Sequence, residues 1–115
     1  MVATMRWTVA DLEALPDDGR LYEIIDGELH AWRNPTPNHQ ASCFRLSMEI
    51  ELWNRESKKG RILTFTALLF ANDDYAVPDA FWVSNERLAL IYDKKERKFL
   101  AAPELVIEVL SRQRQ

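Results

Sequence analysis

The sequence contains little cysteine, histidine and glycine, and each shortage excludes a class of protein. A single cysteine, Cys43, cannot form an internal disulfide, so a cytoplasmic protein is the simplest interpretation. The two histidines and this cysteine are scattered and do not show the spacing of a zinc finger. With three glycines there is no phosphate-binding loop, which argues against nucleotide hydrolysis.

Long apolar runs and an excess of basic charge are also absent. No run approaches the roughly 20 apolar residues that cross a bilayer, and residues 1–8 lack the apolar segment of a secretory signal. We therefore expect no membrane segment. The net charge of −3 lends no support to nucleic-acid binding, although a nuclease can confine its positive charge to one groove. The length fits a single domain over residues 1–115.

The N-terminal third predicts a capped helix followed by a hairpin. Thr8 precedes the apolar positions of a short helix, with Asp11 in the first turn where the helix dipole favours an acid. Residues 21–32 predict two strands joined by Asp26-Gly27, because both turn positions need positive φ. In that register Glu23 faces His30, a polar pair with a potential use.

A long helix is predicted from Pro37, capped by Thr36, to about Lys59, with Gly60 closing it. At about 100° per residue its apolar positions form two stripes on nearly opposite sides. These stripes contain Ala41, Phe44, Met48 and Leu52 on one side, and Cys43, Leu46, Ile50 and Trp53 on the other. Such a helix is expected to be sandwiched, either inside the domain or between a sheet and a partner chain.

The C-terminal half predicts mainly strands. Residues 62–71 and 75–84 alternate as two antiparallel strands around a turn at 72–74, and residues 85–92 suggest a short helix. Residues 93–98 are a charge run, interpreted as a solvated loop. Residues 104–111 are apolar on both faces and predict a central strand. The order of elements indicates a mixed α/β fold.

Two acids interrupt apolar strand patterns. Asp79 alternates with Val77 and Phe81, and Glu108 alternates with Val106 and Leu110. A lone carboxylate in an apolar face destabilises a protein by several kcal/mol unless it is paired or binds a cation. Two such acids on separate strands could converge on one divalent ion, which removes their mutual repulsion. The alternative is that either strand lies at an edge and its acid reaches solvent.

A carboxylate pair of this kind suits a hard ion. Mg²⁺, or Mn²⁺ in its place, prefers a few carboxylates together with waters and substrate phosphate oxygens. Such a site can activate water and stabilise the charge that develops on a phosphodiester. The two acids therefore point to a nuclease.

Four stretches in this order, spanning nearly the whole chain, resemble the Uma-type family of putative restriction endonucleases, which has the PD-(D/E)XK nuclease fold. They are residues 22–29 (YEIIDGEL), 35–40 (PTPNHQ), 77–79 (VPD) and 103–111 (PELVIEVLS).

The resemblance implies a restriction-endonuclease-like α/β core of order α-β-β-β-α-β, in which the helix from Pro37 is the first core helix. It implies that Asp79 and Glu108 are metal ligands that act with Mg²⁺ or Mn²⁺ on DNA. It also implies that Glu23 lies near the same pocket, and that His39 and Gln40 at the helix start line it. Asp79, Glu108, Glu23 and His39 are therefore the candidate catalytic residues.

The sequence departs from the nuclease pattern at the position two residues after Glu108, where the pattern has lysine and this chain has Leu110. Family members supply the lysine from a following helix, and the sequence ends at Gln115, so we expect the last core helix and strand to be missing. An uncovered sheet then favours a homo-oligomer, a dimer in the simplest case.

Two functions follow from these observations. The first is a metal-dependent DNA endonuclease. The second is a catalytically inactive, truncated remnant that acts as an oligomeric or partner-binding module.

Overall fold

The computed structural model describes residues 5–110 and contains helices and strands in a mixed order. In chain order the elements are α1 (Val9–Glu13), β1 (Leu21–Ile25), β2 (Glu28–Trp32), α2 (Pro37–Ser57), β3 (Gly60–Thr64), β4 (Leu68–Leu69), β5 (Tyr75–Ala76), β6 (Ala80–Ser84), α3 (Asn85–Ile91), β7 (Tyr92–Asp93), β8 (Lys98–Phe99) and β9 (Leu105–Ile107). The expected mixed α/β class is confirmed. None of the described helices is long and apolar enough to span a membrane.

The local predictions for the N-terminal third are confirmed. Thr8 caps α1 in a capping box, in which its hydroxyl accepts from the Asp11 amide and the Asp11 carboxylate accepts from the Thr8 amide. Strands β1 and β2 pair in the expected register, with Glu23 opposite His30. Asp26 and Gly27 form the turn with φ of 51° and 77°, as a tight hairpin with right-handed strand twist requires.

The strands form two sheets. One has six strands in the order β2-β1-β5-β4-β8-β7, and the other has three in the order β3-β6-β9. All neighbours are antiparallel except β4 and β8, which are parallel. The two sheets share one long hairpin, because β3 and β6 belong to one sheet and the intervening β4 and β5 to the other.

This long hairpin matches the two predicted strands at 62–71 and 75–84, but it is interrupted in the middle. Thr64 pairs with Ala80 in one ladder and Leu68 pairs with Ala76 in the other, so equal lengths of chain separate the two ladders on both sides. The gap contains Phe65, whose φ is 49°, and Pro78, which has no amide proton to donate. Pairing therefore stops there, and Asp79 lies just before β6.

Side chains of β6 alternate between two neighbouring layers. Phe81 is fully buried and meets the ring of Phe99 on β8 edge to face, with ring centroids 5.3 Å apart. Trp82 instead donates its indole N–H to Asn54 of α2 over 3.0 Å. The three-stranded sheet is thus covered by α2 on one face and by the six-stranded sheet on the other, with Leu68, Phe81, Val83, Ile91 and Phe99 as the core.

The end of α2 differs from the prediction that Gly60 closes the helix. Lys58 adopts the left-handed conformation that ends α2, with φ of 53°, and Gly60 begins β3 opposite Ser84. A Cβ at Gly60 would collide with the carbonyl oxygen of Val83 and the ring of Trp82. Glycine is therefore required at position 60 for the close approach of β6 and not for helix termination.

Among residues 5–110 helix α2 packs on one side only, so it is not sandwiched inside the domain, and the alternative of a sheet and a partner chain stays a prediction. Phe44 is 56% exposed, and Met48 and Leu52 on the same stripe are also exposed. The sheet-facing side instead carries Cys43, Ser47 and Asn54. Because this mostly polar side of α2 contacts the sheet, the stripe that contains Phe44, Met48 and Leu52 faces solvent.

One expectation for the C-terminal third is wrong. Strand β9 is the edge strand of its sheet and not a central strand, because within residues 5–110 it pairs with β6 alone, and Leu105 and Val106 are exposed.

The charge run at 93–98 is solvated as expected, since residues 94–98 are exposed. Its first and last residues, Asp93 and Lys98, pair in the β7–β8 hairpin, so the loop itself is the turn between them.

Substitutions at the end of α2 test the assignment of the two positions. We expect Gly60→Ala to lower the free energy of unfolding by about 1 to 3 kcal/mol, the usual effect of overpacking. Lys58→Gly should raise it by up to about 1 kcal/mol, because glycine relieves the left-handed strain but is more disordered when unfolded. Urea unfolding followed by tryptophan fluorescence measures both changes. If Gly60→Ala raised the free energy of unfolding and Lys58→Gly lowered it, the assignment of the two positions would be wrong.

Candidate metal centre

Asp79 is held at the junction of two strand ends. It directly precedes β6, and its Oδ2 accepts a hydrogen bond of 2.7 Å from the backbone N–H of Val109, two residues after β9. The predicted alternation does not extend to Asp79, because the strand begins at Ala80. The carboxylate therefore leaves the face of Phe81 and meets the start of α2.

His39 lies in the first turn of α2 and contacts this carboxylate. Thr36 caps the helix and accepts from the His39 amide over 3.2 Å, which fixes the position of the residue. His39 Nε2 is 3.3 Å from Asp79 Oδ2, and the two side chains are 11% and 18% exposed. The pair is largely shielded from water, where electrostatic interactions are strong.

Cys43 is the residue that completes the cluster, one helical turn after His39. Its sulfur is 3.7 Å from His39 Nδ1 and 4.0 Å from Nε2. The donor atoms of His39, Cys43 and Asp79 all lie within 4.8 Å of one another, and no other three His, Cys, Asp or Glu side chains do so in the described part of the chain. Burial raises the pKa of the Cys43 thiol, and the charges of Asp79 and Glu108 raise it further.

Glu108 borders this cluster. In the β6–β9 ladder Ala80 faces Ile107, so continuing that register by one step sets Asp79 opposite Glu108. Its charge acts on the Cys43 thiol, but its carboxylate does not belong to the group of donors within 4.8 Å. The structure thus brings the two predicted acids to neighbouring positions, with Asp79 inside the cluster and Glu108 beside it.

Glu23 makes two structural hydrogen bonds. Oε1 accepts from the Trp32 indole over 2.7 Å, and Oε2 accepts from the Val77 amide over 2.8 Å. His30 is its cross-strand neighbour but stacks on Trp32, with ring centroids 6.1 Å apart. Glu23 therefore anchors the chain two residues before Asp79, with both of its carboxylate oxygens engaged.

The sequence contains one indication of a role for Cys43 that zinc-finger spacing does not reveal. His39 and Cys43 are four residues apart, and residues with that separation share a helix face. Because the predicted helix begins at Pro37, both residues lie within it and are expected on the same face. That Asp79 would meet the same helix turn depends on the tertiary fold and has no local sequence pattern.

The donors of this cluster suit a divalent cation. A carboxylate, an imidazole and a thiol are the side chains that bind transition metals, and the Val109 and Thr36 contacts orient two of them. Two lone-pair atoms, His39 Nε2 and Asp79 Oδ2, face each other at 3.3 Å, which requires a proton or a cation in their vicinity. The residues present therefore fit a metal ion.

A separate cleft of about 660 Å³ does not include any of these residues. Its lining contains Arg61, Leu63, Lys94, Arg97 and Lys98. Leu63 pairs with Phe81, whose side chain points away from α2. The cleft therefore opens on the side of β3 that faces away from α2.

The comparisons with known proteins agree with this architecture. A structure described as that of a putative nuclease belonging to DUF820, from Anabaena variabilis ATCC 29413, has a TM-score of 0.75 to this chain. The two are 23% identical, and the match covers 91% of this chain and 59% of that one. The fold is thus of the type found in that protein, and this chain spans less than two-thirds of its length.

The family is shown by the sequence itself. Residues 9–115 match the model of the Uma2 family, described as putative restriction endonuclease. The chain belongs to this family, which confirms the resemblance seen in the four stretches. No curated protein matches the chain significantly.

The double hydrogen bond of Glu23 generates a stability prediction. Glu23→Gln keeps the shape of the side chain but leaves one acceptor oxygen for two N–H donors, so we expect a loss of about 1 to 3 kcal/mol in the free energy of unfolding. The exposed acid Glu28 on the neighbouring strand is the matched control, and Glu28→Gln should change stability by less than about 0.5 kcal/mol. Equal unfolding midpoints in urea for both variants would contradict the anchoring role.

Proposed function

We propose that this chain carries the metal site of a DNA endonuclease that hydrolyses phosphodiester bonds. The observation that carries the proposal is the convergence of Asp79, His39 and the Glu108–Val109 backbone at one point, where three distant parts of the chain meet. The family description as restriction endonuclease supports DNA as the substrate.

In this proposal Asp79 and Glu108 hold the ion, with His39 beside them. Mg²⁺ or Mn²⁺, bound here with waters, would polarise a phosphodiester oxygen and lower the pKa of the attacking water. The two acids lie opposite each other when the β6–β9 register is continued by one step, and their mutual repulsion favours a cation between them.

The protein residues supply orientation and proton handling. The Val109 N–H fixes one oxygen of Asp79, so the carboxylate is positioned before an ion arrives. His39 has its Nε2 at the carboxylate, where it can accept and hold a proton taken from water. Its 11% exposure keeps bulk water from competing for that nitrogen.

His39 can also take the role of the lysine that the nuclease pattern has at the position of Leu110. Leu110 is 86% exposed, and among residues 5–110 no lysine or arginine forms an ion pair with Asp79. In the described part of the chain, the basic side chain that forms an ion pair with that carboxylate is the imidazole of His39. We therefore assign to His39 the proton transfer for which the nuclease pattern uses lysine.

Calorimetric titration with Mn²⁺ tests the site. We expect wild-type protein to bind Mn²⁺, and both Asp79→Ala and Glu108→Ala to weaken binding at least about tenfold, because loss of a carboxylate removes a ligand and a charge. Asp17→Ala removes an exposed acid elsewhere and should leave affinity unchanged. Mn²⁺ binding that is equal in all four proteins, or absent from all, would overturn the proposal.

A second candidate function is favoured by the uncovered apolar stripe. Phe44, Met48 and Leu52 recur every four residues on α2 and are exposed. We propose that a second copy covers this stripe, because one stripe meeting itself across a twofold axis gives a closed, self-complementary interface. In the alternative in which the chain is a non-catalytic module, this association is its function, and no ion binds at Asp79.

Sedimentation equilibrium measures this association. We expect wild-type dimers, and monomers for Phe44→Glu combined with Leu52→Glu, because charged groups in a desolvated helix contact oppose binding. Arg45→Glu, on the same helix but off the stripe, is the control and should stay dimeric. A wild-type monomer at all accessible concentrations, or a charged double variant that still dimerises, would contradict this interface.

A further inference from the structure

We propose that Cys43 is a third ligand of the metal centre and makes it selective for a thiophilic ion, Zn²⁺, over Mg²⁺. The inference rests on the proposed metal site and specifies its chemistry, with His39 as a ligand in place of the proton transfer assigned to it above, because a nitrogen bound to a metal cannot also accept a proton. It adds a sulfur donor to a centre for which the sequence predicted oxygen ligands alone. His39 contributes nitrogen, Asp79 oxygen and Cys43 sulfur, and these donors from α2 and from the residue before β6 lie within 4.8 Å of one another.

The nitrogen and oxygen donors have the separation found around a tetrahedral zinc ion, and the sulfur lies nearby. With Zn–N and Zn–O bonds near 2.0 Å and Zn–S near 2.3 Å, tetrahedral ligands lie about 3.3 to 3.6 Å apart. His39 Nε2 is 3.3 Å from Asp79 Oδ2. Cys43 Sγ is 4.0 Å from Nε2 and 3.7 Å from Nδ1, so the cysteine side chain must turn toward Nε2 to join an ion held there.

Gln40 selects the nitrogen of His39 that binds. Its Oε1 is 3.2 Å from His39 Nδ1, and an amide oxygen only accepts hydrogen bonds. The tautomer with its proton on Nδ1 satisfies this contact, and in that tautomer the lone pair of Nε2 is directed at Asp79. A ligating histidine is commonly oriented by such a bond to its other nitrogen, and Val109 does the same for Asp79.

The helix makes the nitrogen and sulfur donors a fixed pair. His39 and Cys43 are separated by one turn of the 21-residue α2, so they face the same direction. Their side chains are partly buried, and α2 is held to the sheet by the Asn54–Trp82 bond. The backbone positions of the pair are thus fixed without a metal, and only the cysteine side chain has to reorient.

A thiolate ligand changes which ion the centre prefers. Mg²⁺ takes oxygen ligands in octahedral geometry and has little affinity for sulfur, whereas Zn²⁺ and Co²⁺ bind thiolate and imidazole strongly. A thiolate and a carboxylate also neutralise a divalent ion, with neutral His39 as the third ligand. Glu108 lies close enough for its charge to act on the thiol and strengthens the attraction for a cation.

Cobalt absorption tests the ligand directly. Titration of the full chain with Co²⁺ should give a thiolate-to-cobalt charge-transfer band in the near ultraviolet, together with the intense visible bands of a tetrahedral ion. Zn²⁺ should displace both. In Cys43→Ser the charge-transfer band should be absent, and Zn²⁺ affinity measured by competition should fall at least about tenfold because a soft ligand is lost. Mn²⁺ binding by calorimetry should change much less.

The outcomes separate this inference from the proposed function. A wild-type protein that binds Mn²⁺ through Asp79 but shows no charge-transfer band overturns the role of Cys43 and leaves the metal site intact. A band that persists in Cys43→Ser also overturns it. Absence of Asp79-dependent binding for every ion overturns both proposals.

Alkylation gives an independent measurement on unmodified protein, in case Cys43→Ser fails to fold. Iodoacetamide should label Cys43 slowly when Zn²⁺ is bound and faster after chelation, because metal coordination occupies the sulfur. Mg²⁺ at equal concentration is the control and should give no protection. Labelling rates that are the same with and without Zn²⁺ would contradict the inference.

Discussion

The hydrogen bond between the Val109 amide and the Asp79 carboxylate is the contact on which the candidate site depends. The β6–β9 ladder ends at Ala80 and Ile107, and the next positions include Pro78, which has no N–H for a further ladder bond. Asp79 accepts from Val109 over 2.7 Å at this point. The Asp79 side chain thus makes the hydrogen bond between the two strand ends that the backbone cannot make. This bond brings its carboxylate to the start of α2.

The candidate ligands on α2 determine which side of the helix faces the sheet. His39, Cys43 and Ser47 follow one another at intervals of four residues, and Cys43 and Ser47 lie on the side toward the sheet. A helix in a small domain usually buries its apolar side. Here the partly buried side carries the donors, so Phe44 and Met48 are exposed on another side. The site and the uncovered stripe are two consequences of one helix orientation.

The sequence predicted local features better than distant ones. The β1–β2 register followed from Asp26-Gly27, and the start of α2 followed from Thr36 and Pro37, because turns and caps are fixed by adjacent residues. The importance of Asp79 and Glu108 came from their misfit in apolar strands and from the family resemblance. The break of the long hairpin, the edge position of β9 and the approach of Cys43 to Asp79 depend on contacts between distant residues, which periodicity does not encode.

The site residues are positioned mainly by hydrogen bonds between backbone amides and side-chain oxygens. Thr36 fixes the His39 backbone, Val109 fixes Asp79, and Glu23 anchors Val77 just before it. His39 and Asp79 are therefore held in place by the fold itself, and within residues 5–110 the ion-pair partner of Asp79 is a histidine and not a lysine or arginine. In the proposed site a divalent cation would supply positive charge at this carboxylate. The nature of that cation would depend on whether the sulfur of Cys43 joins the oxygen and nitrogen donors.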